Sequence, residues 1–129
     1  MMNNPIIITG LLFGILAIIF GAFGAHALQK LLTEQKLTSF ETGVRYQMYN
    51  ALFLLIVGVG FGADLPNSSL VLWSYYLVTL GTVLFCFSIY FLSLADYLKR
   101  NFKFLGPVTP LGGLLMIIGW LCLLLHVLK

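Results

Sequence analysis

Charged side chains interrupt an otherwise apolar chain at only eleven positions: 30, 34, 36, 41, 45, 64, 96, 99, 100, 103 and 129. The uncharged runs between them cover 1–29, 46–63, 65–95 and 104–128. Each run reaches or approaches the roughly 20 apolar residues that a helix needs to cross a bilayer. The pattern predicts four spans, at about 6–28, 46–63, 70–94 and 110–128. The fold class is therefore all-α: an integral membrane four-helix bundle, with residues 1–129 as a single domain.

Local signals refine the ends. Thr38-Ser39-Phe40-Glu41 reads as a capping box, with the Thr hydroxyl on the Glu41 N–H and Glu41 reaching back. It predicts an amphipathic interfacial lead-in to the second helix, with Glu41 and Arg45 one turn apart and able to pair. Asp64-Leu65-Pro66-Asn67-Ser68-Ser69 supplies turn chemistry and the next N-cap, making spans two and three an antiparallel hairpin. Thr109-Pro110 reads as an N-cap followed by proline at the first helical position. Ala25-His26-Ala27 has the look of a signal-peptidase site. The first run is longer than a signal peptide's apolar region and has no Lys or Arg before it, so an uncleaved span is expected.

Composition excludes most alternatives. Hydrophobic residues make up 60% of the chain and charged residues 9%, against about 25% charged in soluble proteins. Mean hydropathy is +1.03. A soluble enzyme, a nucleic-acid binder and a disordered segment are all ruled out. Lys30, Lys36, Arg45, Lys99, Arg100 and Lys103 fall on one side of the four spans, and Lys129 alone on the other. Basic loops stay in the cytoplasm, so both termini are expected outside.

Lipid tails do not drive apolar helices together, so close packing needs thin faces. Gly10, Gly14, Gly21 and Ala25 lie on one stripe of the first span. Gly58 and Gly62 repeat every four residues in the second. Gly81 in the third span, and Gly112 and Gly119 in the fourth, complete the set. Four such faces exceed what a small bundle needs to close on itself. The faces are expected to close a compact four-helix bundle, and the sharper alternative is that one ridge is left over for a second copy of the chain or a larger membrane complex.

These residues sit inside blocks that resemble the YgdD/YwdK type of small bacterial inner-membrane protein over nearly the whole chain. The blocks are Gly21-Ala-Phe-Gly-Ala-His26-Ala, Thr42-Gly-Val-Arg45-Tyr-Gln47, Gly81-Thr-Val-Leu-Phe85 with Ser88 and Tyr90, and Thr109-Pro-Leu-Gly-Gly113 with Gly119-Trp120. The resemblance implies a four-span inner-membrane protein and assigns no activity. This chain departs from it at Asn50, where that family usually has His, and at Cys86-Phe87, where it has small residues. Asn50 can replace a hydrogen-bonding His but not one that carries protons or ligates metal.

Polar groups within a membrane are costly and ask for partners. Here they gather toward the basic end: His26, Arg45, Gln47, Asn50, Tyr90 and Thr109. These six are the candidate lining of a polar pocket open to the cytoplasm, or a set of interhelical pins. Arg45 can pair with Asp96 or Glu41 or meet a headgroup phosphate with its fork. The simplest expectation is that it snorkels, head in the interface and stem along the helix. The Trp120 N–H, mid-span, needs an acceptor, expected to be a helix carbonyl or a hydroxyl.

Catalysis and cofactors find little support. His26 and His126 are the only histidines and fall at opposite faces of a ~30 Å core, so one chain does not place both on one haem iron. Clustered metal ligands are missing, and Cys86 and Cys122 read as small hydrophobes. No acid or base lies deep in a span, against an ion-coupled pump. The expectation is a non-enzymatic accessory or assembly subunit without cofactor or metal, surrounded by membrane lipids. The alternative is a small transporter, channel or lipid-handling protein using the polar pocket.

Overall fold

A computed structural model describes residues 4–129, with the backbone alone at Leu65 and Pro66. These residues hold helices and turns and no strand. Helix α1 spans Pro5–Ala25, α2 Glu34–Phe61, α3 Ser69–Thr82, α4 Ser88–Leu98 and α5 Val108–Leu128. A π-helical turn, Val83–Phe87, joins α3 to α4, so the two form one span. Four helical stretches are long and apolar enough to cross a membrane.

Asn4 starts α1: its side-chain oxygen accepts the Ile7 N–H at 3.2 Å, and Pro5 takes the first helical position. Ser68 starts α3 in the same way, accepting the Val71 N–H at 3.3 Å. Two predicted starts are corrected. Helix α2 is capped five residues before the expected position, by Thr33, whose hydroxyl accepts the Lys36 N–H at 3.2 Å. Glu34 then stands in the first turn, where the helix dipole favours an anion. Thr38 is an interior residue that donates to the Glu34 carbonyl. At 28 residues α2 is about 42 Å long, more than a ~30 Å core, so its first turns form the interfacial lead-in.

Helix α5 begins at Val108, with Pro107 as its cap. Thr109 and Pro110 are thus inside the first turn. Proline is tolerated there because first-turn N–H groups have no intrahelical acceptor. Helix α4 ends on Lys99 in the left-handed conformation, φ 55°. The Arg100 N–H returns to the Ala95 carbonyl and the Lys99 N–H to Asp96, a Schellman closure with lysine where glycine is usual.

The two middle spans are the most buried, with α1 flanking α2 and α5 flanking α3. Glycines set both close approaches. A Cβ at Gly10 would stand 3.0 Å from the Ala51 carbonyl, and one at Gly58 would stand 2.5 Å from Ile7 Cγ1. Gly14 and Gly21 face Ala51 and Val44 of α2, and Gly62 faces the Asn4 amide. In the other pair, Gly81 meets the Gly112 carbonyl, and Gly119 meets Val78 and the Ser74 carbonyl. Ala25 faces outward. The apparent surplus of thin faces therefore disappears inside the chain: each of two tight interfaces needs a thin face on both partners.

Candidate functional site

Two amides one turn apart on α2 tie the bundle together. Gln47, wholly buried, donates through Nε2 to the Phe13 carbonyl of α1 at 2.9 Å. Its Oε1 accepts the Tyr90 hydroxyl of α4 at 2.6 Å. Asn50 donates to the Tyr46 carbonyl at 2.8 Å and to Met116 Sδ at 3.0 Å, and accepts the Trp120 N–H at 3.0 Å. Trp120 thus finds a side-chain amide oxygen, where a carbonyl or hydroxyl was expected. Its ring stacks on Phe53, centroids 4.2 Å apart.

Tyr90 reaches Gln47 because Gly43 clears its way. A Cβ at Gly43 would lie 2.7 Å from the tyrosine ring. Phe20, Phe40 and Phe87 surround the same ring, with centroids 4.9–5.5 Å away.

Nearer the basic end, Ser88 donates to the Phe85 carbonyl at 2.9 Å, which leaves Thr109 as donor in their 2.6 Å contact. This pins α4 to α5. The six residues singled out by sequence therefore separate. Gln47, Asn50 and Tyr90 are buried interhelical pins. Thr109 is a second pin and also lines a cavity. His26 ends α1, exposed. Arg45 is exposed and donates to the Thr42 hydroxyl at 3.1 Å, while Lys36 takes Asp96 at 3.4 Å.

The opposite end has its own polar staple. His126 contacts Asp64 Oδ2 at 3.1 Å through Nε2 and the Ser68 hydroxyl at 3.0 Å through Nδ1. The order Ser–His–Asp is suggestive of hydrolases, but Ser68 is occupied as the cap of α3, and the trio fastens α5 to the α2–α3 hairpin. Across the bundle, Thr9 and Tyr75 join α1 to α3 at 2.9 Å.

Two openings follow one another along a seam formed by α2, α5 and the span that α3 and α4 make together. At the basic end a polar cavity of about 500 Å³ is lined by Gln35, Lys36 and Ser39 from α2, Ile89, Leu92 and Ser93 from α4, and Gly106 and Thr109 at the start of α5. Immediately below it an apolar groove of about 670 Å³ opens between α2 and α5. Tyr46, Tyr49, Phe85, Gly113, Met116, Ile117, Trp120, Leu121 and Leu124 line it, with Asn50 at its floor. Ile89 is one turn from Phe85, and Thr109 one turn from Gly113, so cavity and groove are consecutive. Both are of ligand-binding size.

The sequence reading missed Gln35, Lys36, Ser39, Ser93 and Gly113. A signal was present on α2: positions 35, 39, 42, 46 and 49 recur at three- and four-residue spacing and are polar or tyrosine. Ser93 and Gly113 carried no comparable mark.

A four-span helical membrane protein with an amphiphilic seam is the class these features define. The chain belongs to the family described as "Protein of unknown function (DUF423)", whose profile matches residues 20–113. That stretch contains the whole polar cavity. A UPF0382 membrane protein of Staphylococcus epidermidis is 41% identical over 123 residues, covering 95% of this chain and 94% of the relative. Another, from Staphylococcus saprophyticus, is 38% identical and covers 95% and 96%. No solved structure matches the chain.

Proposed function

We propose that this is a non-enzymatic lipid-handling protein of the bacterial inner membrane, holding a membrane amphiphile in the seam between α2, α4 and α5. The observation that carries this reading is the succession of a polar cavity and an apolar groove along α2, α5 and the span formed by α3 and α4. A ligand with a polar head and an apolar tail matches that sequence of surfaces. The resemblance to YgdD/YwdK-type proteins supports the inner-membrane setting. The basic loops support an orientation with the polar cavity toward the cytoplasm and both termini outside.

Purification in mild detergent, followed by quantitative lipid extraction, tests the reading. A stoichiometric phospholipid should stay with the wild type and be lost from Gly113→Leu. At Gly113 a Cβ meets only Phe85, at 3.7 Å, so the larger side chain extends into the groove without disturbing the core. Protein that retains no lipid overturns the proposal.

The second reading is an accessory or assembly subunit, alone or as a homo-oligomer. With the glycine faces used internally, its support shifts to the same groove, whose aromatic wall of Tyr46, Tyr49 and Phe85 would accept a helix of another chain. A stoichiometric protein partner in place of lipid, sensitive to Gly113→Leu, would favour it.

A further inference from the structure

Resting on the lipid-handling reading, we propose that the polar cavity selects an anionic phospholipid by binding its phosphate between Lys36, Gln35, Ser39 and Ser93. The lining offers donors and contains no carboxylate. The Lys36 ammonium spends two long contacts, each 3.4 Å, on the Leu92 carbonyl and Asp96. An ammonium has three N–H groups, so one remains for the cavity.

Ser93 supplies the second, independent observation. The residue is 3% exposed, and its hydroxyl is without a partner among the described residues. Helical serines ordinarily bond back to a carbonyl of the preceding turn, as Ser88 does. Ser93 makes no such bond. Ser74, Thr79 and Thr82 also have unpaired hydroxyls, but of these four Ser93 is the one that lines the polar cavity. An unpaired buried hydroxyl is unfavourable until an acceptor arrives. A phosphate carries enough acceptor oxygens to serve these four donors, which all belong to the lining of one cavity.

Charge decides the class of lipid. A zwitterionic head would bring an ammonium into a lining without an acid, and Asp96 is already held by Lys36 at 3.4 Å. Lys30, Lys99, Arg100 and Lys103 at the same end add to the attraction for an anionic surface. The tail path also fits. From Gly113 to Leu124 the groove follows α5 for about 16 Å, close to half of a ~30 Å hydrocarbon core, which is the depth of one leaflet.

Trp120 lines the groove and reports on it. In a Trp73→Phe background it is the remaining indole. The protein is reconstituted in phosphatidylcholine vesicles containing a minor fraction of lipid with chain-terminal bromines, either phosphatidylglycerol or phosphatidylcholine. Brominated phosphatidylglycerol should quench Trp120 at about fivefold lower mole fraction than brominated phosphatidylcholine, the effect of one well-placed cation. Lys36→Gln should bring the two lipids to parity. Lys30→Gln, the same charge change outside the cavity, should leave the preference intact.

Equal loss of preference in both lysine variants overturns the proposal in favour of general surface attraction. Equal quenching by both lipids in the wild type, abolished by Gly113→Leu, overturns the headgroup assignment and leaves the groove reading standing. Quenching that Gly113→Leu does not change overturns both. Displacement of brominated phosphatidylglycerol by inorganic phosphate overturns the lipid as the source of the phosphate.

Discussion

The Tyr90 hydroxyl donates to Gln47 Oε1 at 2.6 Å, and through Gln47 it is linked to the Phe13 carbonyl. Three spans meet in that one amide, in a region where water is absent and each polar group depends on its neighbours. Gln47→Leu removes both bonds and leaves the Tyr90 hydroxyl buried. The variant should lose about 1–3 kcal/mol of stability in detergent unfolding experiments. In a double-mutant cycle with Tyr90→Phe, the coupling should be about 0.6–1.7 kcal/mol. A coupling near zero would mean that the two side chains do not share a bond.

Gly81 and Gly60 separate packing from helix propensity. A Cβ at Gly81 would lie 2.7 Å from the Gly112 carbonyl and 2.8 Å from the Met116 nitrogen, both rigid backbone. Gly81→Ala must push α3 and α5 apart and should cost about 1–3 kcal/mol. Gly60 has nothing within 4 Å of such a Cβ. Gly60→Ala should be neutral or stabilising by up to ~1 kcal/mol. Thermal unfolding of the two variants side by side checks the contrast.

Asn50 holds the Trp120 N–H. In the Trp73→Phe background, Asn50→Leu should shift the indole emission to the blue, because the excited ring loses its polar partner. It should also lower stability by about 1–3 kcal/mol, since an indole N–H is left unsatisfied. An unchanged emission spectrum would show that the bond does not form in the membrane.

Orientation is open to direct labelling. A cysteine introduced at Lys129 should react with a membrane-impermeant maleimide in intact cells. One introduced at Arg100 should react only after the membrane is opened, as the basic-loop rule requires. A Cys86→Ala, Cys122→Ala background removes both native thiols. The reverse pattern would invert the bundle and move the polar cavity to the outer face.

Much of this protein was legible one residue at a time. The four apolar runs, the hairpin at Ser68 and the thin glycine faces follow from solvent preference and helical spacing, which are local or periodic properties. Helix starts were less secure, because Thr33 and Thr38 both precede an acid and either can cap. Only the Thr33 start lets the polar side of the lead-in extend by another turn to Gln35 and Lys36.

Sequence alone also determined that Gln47, Asn50, Tyr90 and Trp120 must find partners, since a bilayer offers no water to satisfy them. It did not determine which partners. Partner choice depends on how helices rotate and cross, and that is set by close approaches such as Gly43 beneath Tyr90 and Gly81 against Gly112. Those same rotations keep the backbones of α2 and α5 apart, bridged by Asn50, Phe53 and Trp120, while the backbones of α3 and α5 touch. A gap between helices is a property of the whole arrangement, with no signature in any one segment. The seam, and the unpaired Ser93 at its polar end, were therefore decided by tertiary structure.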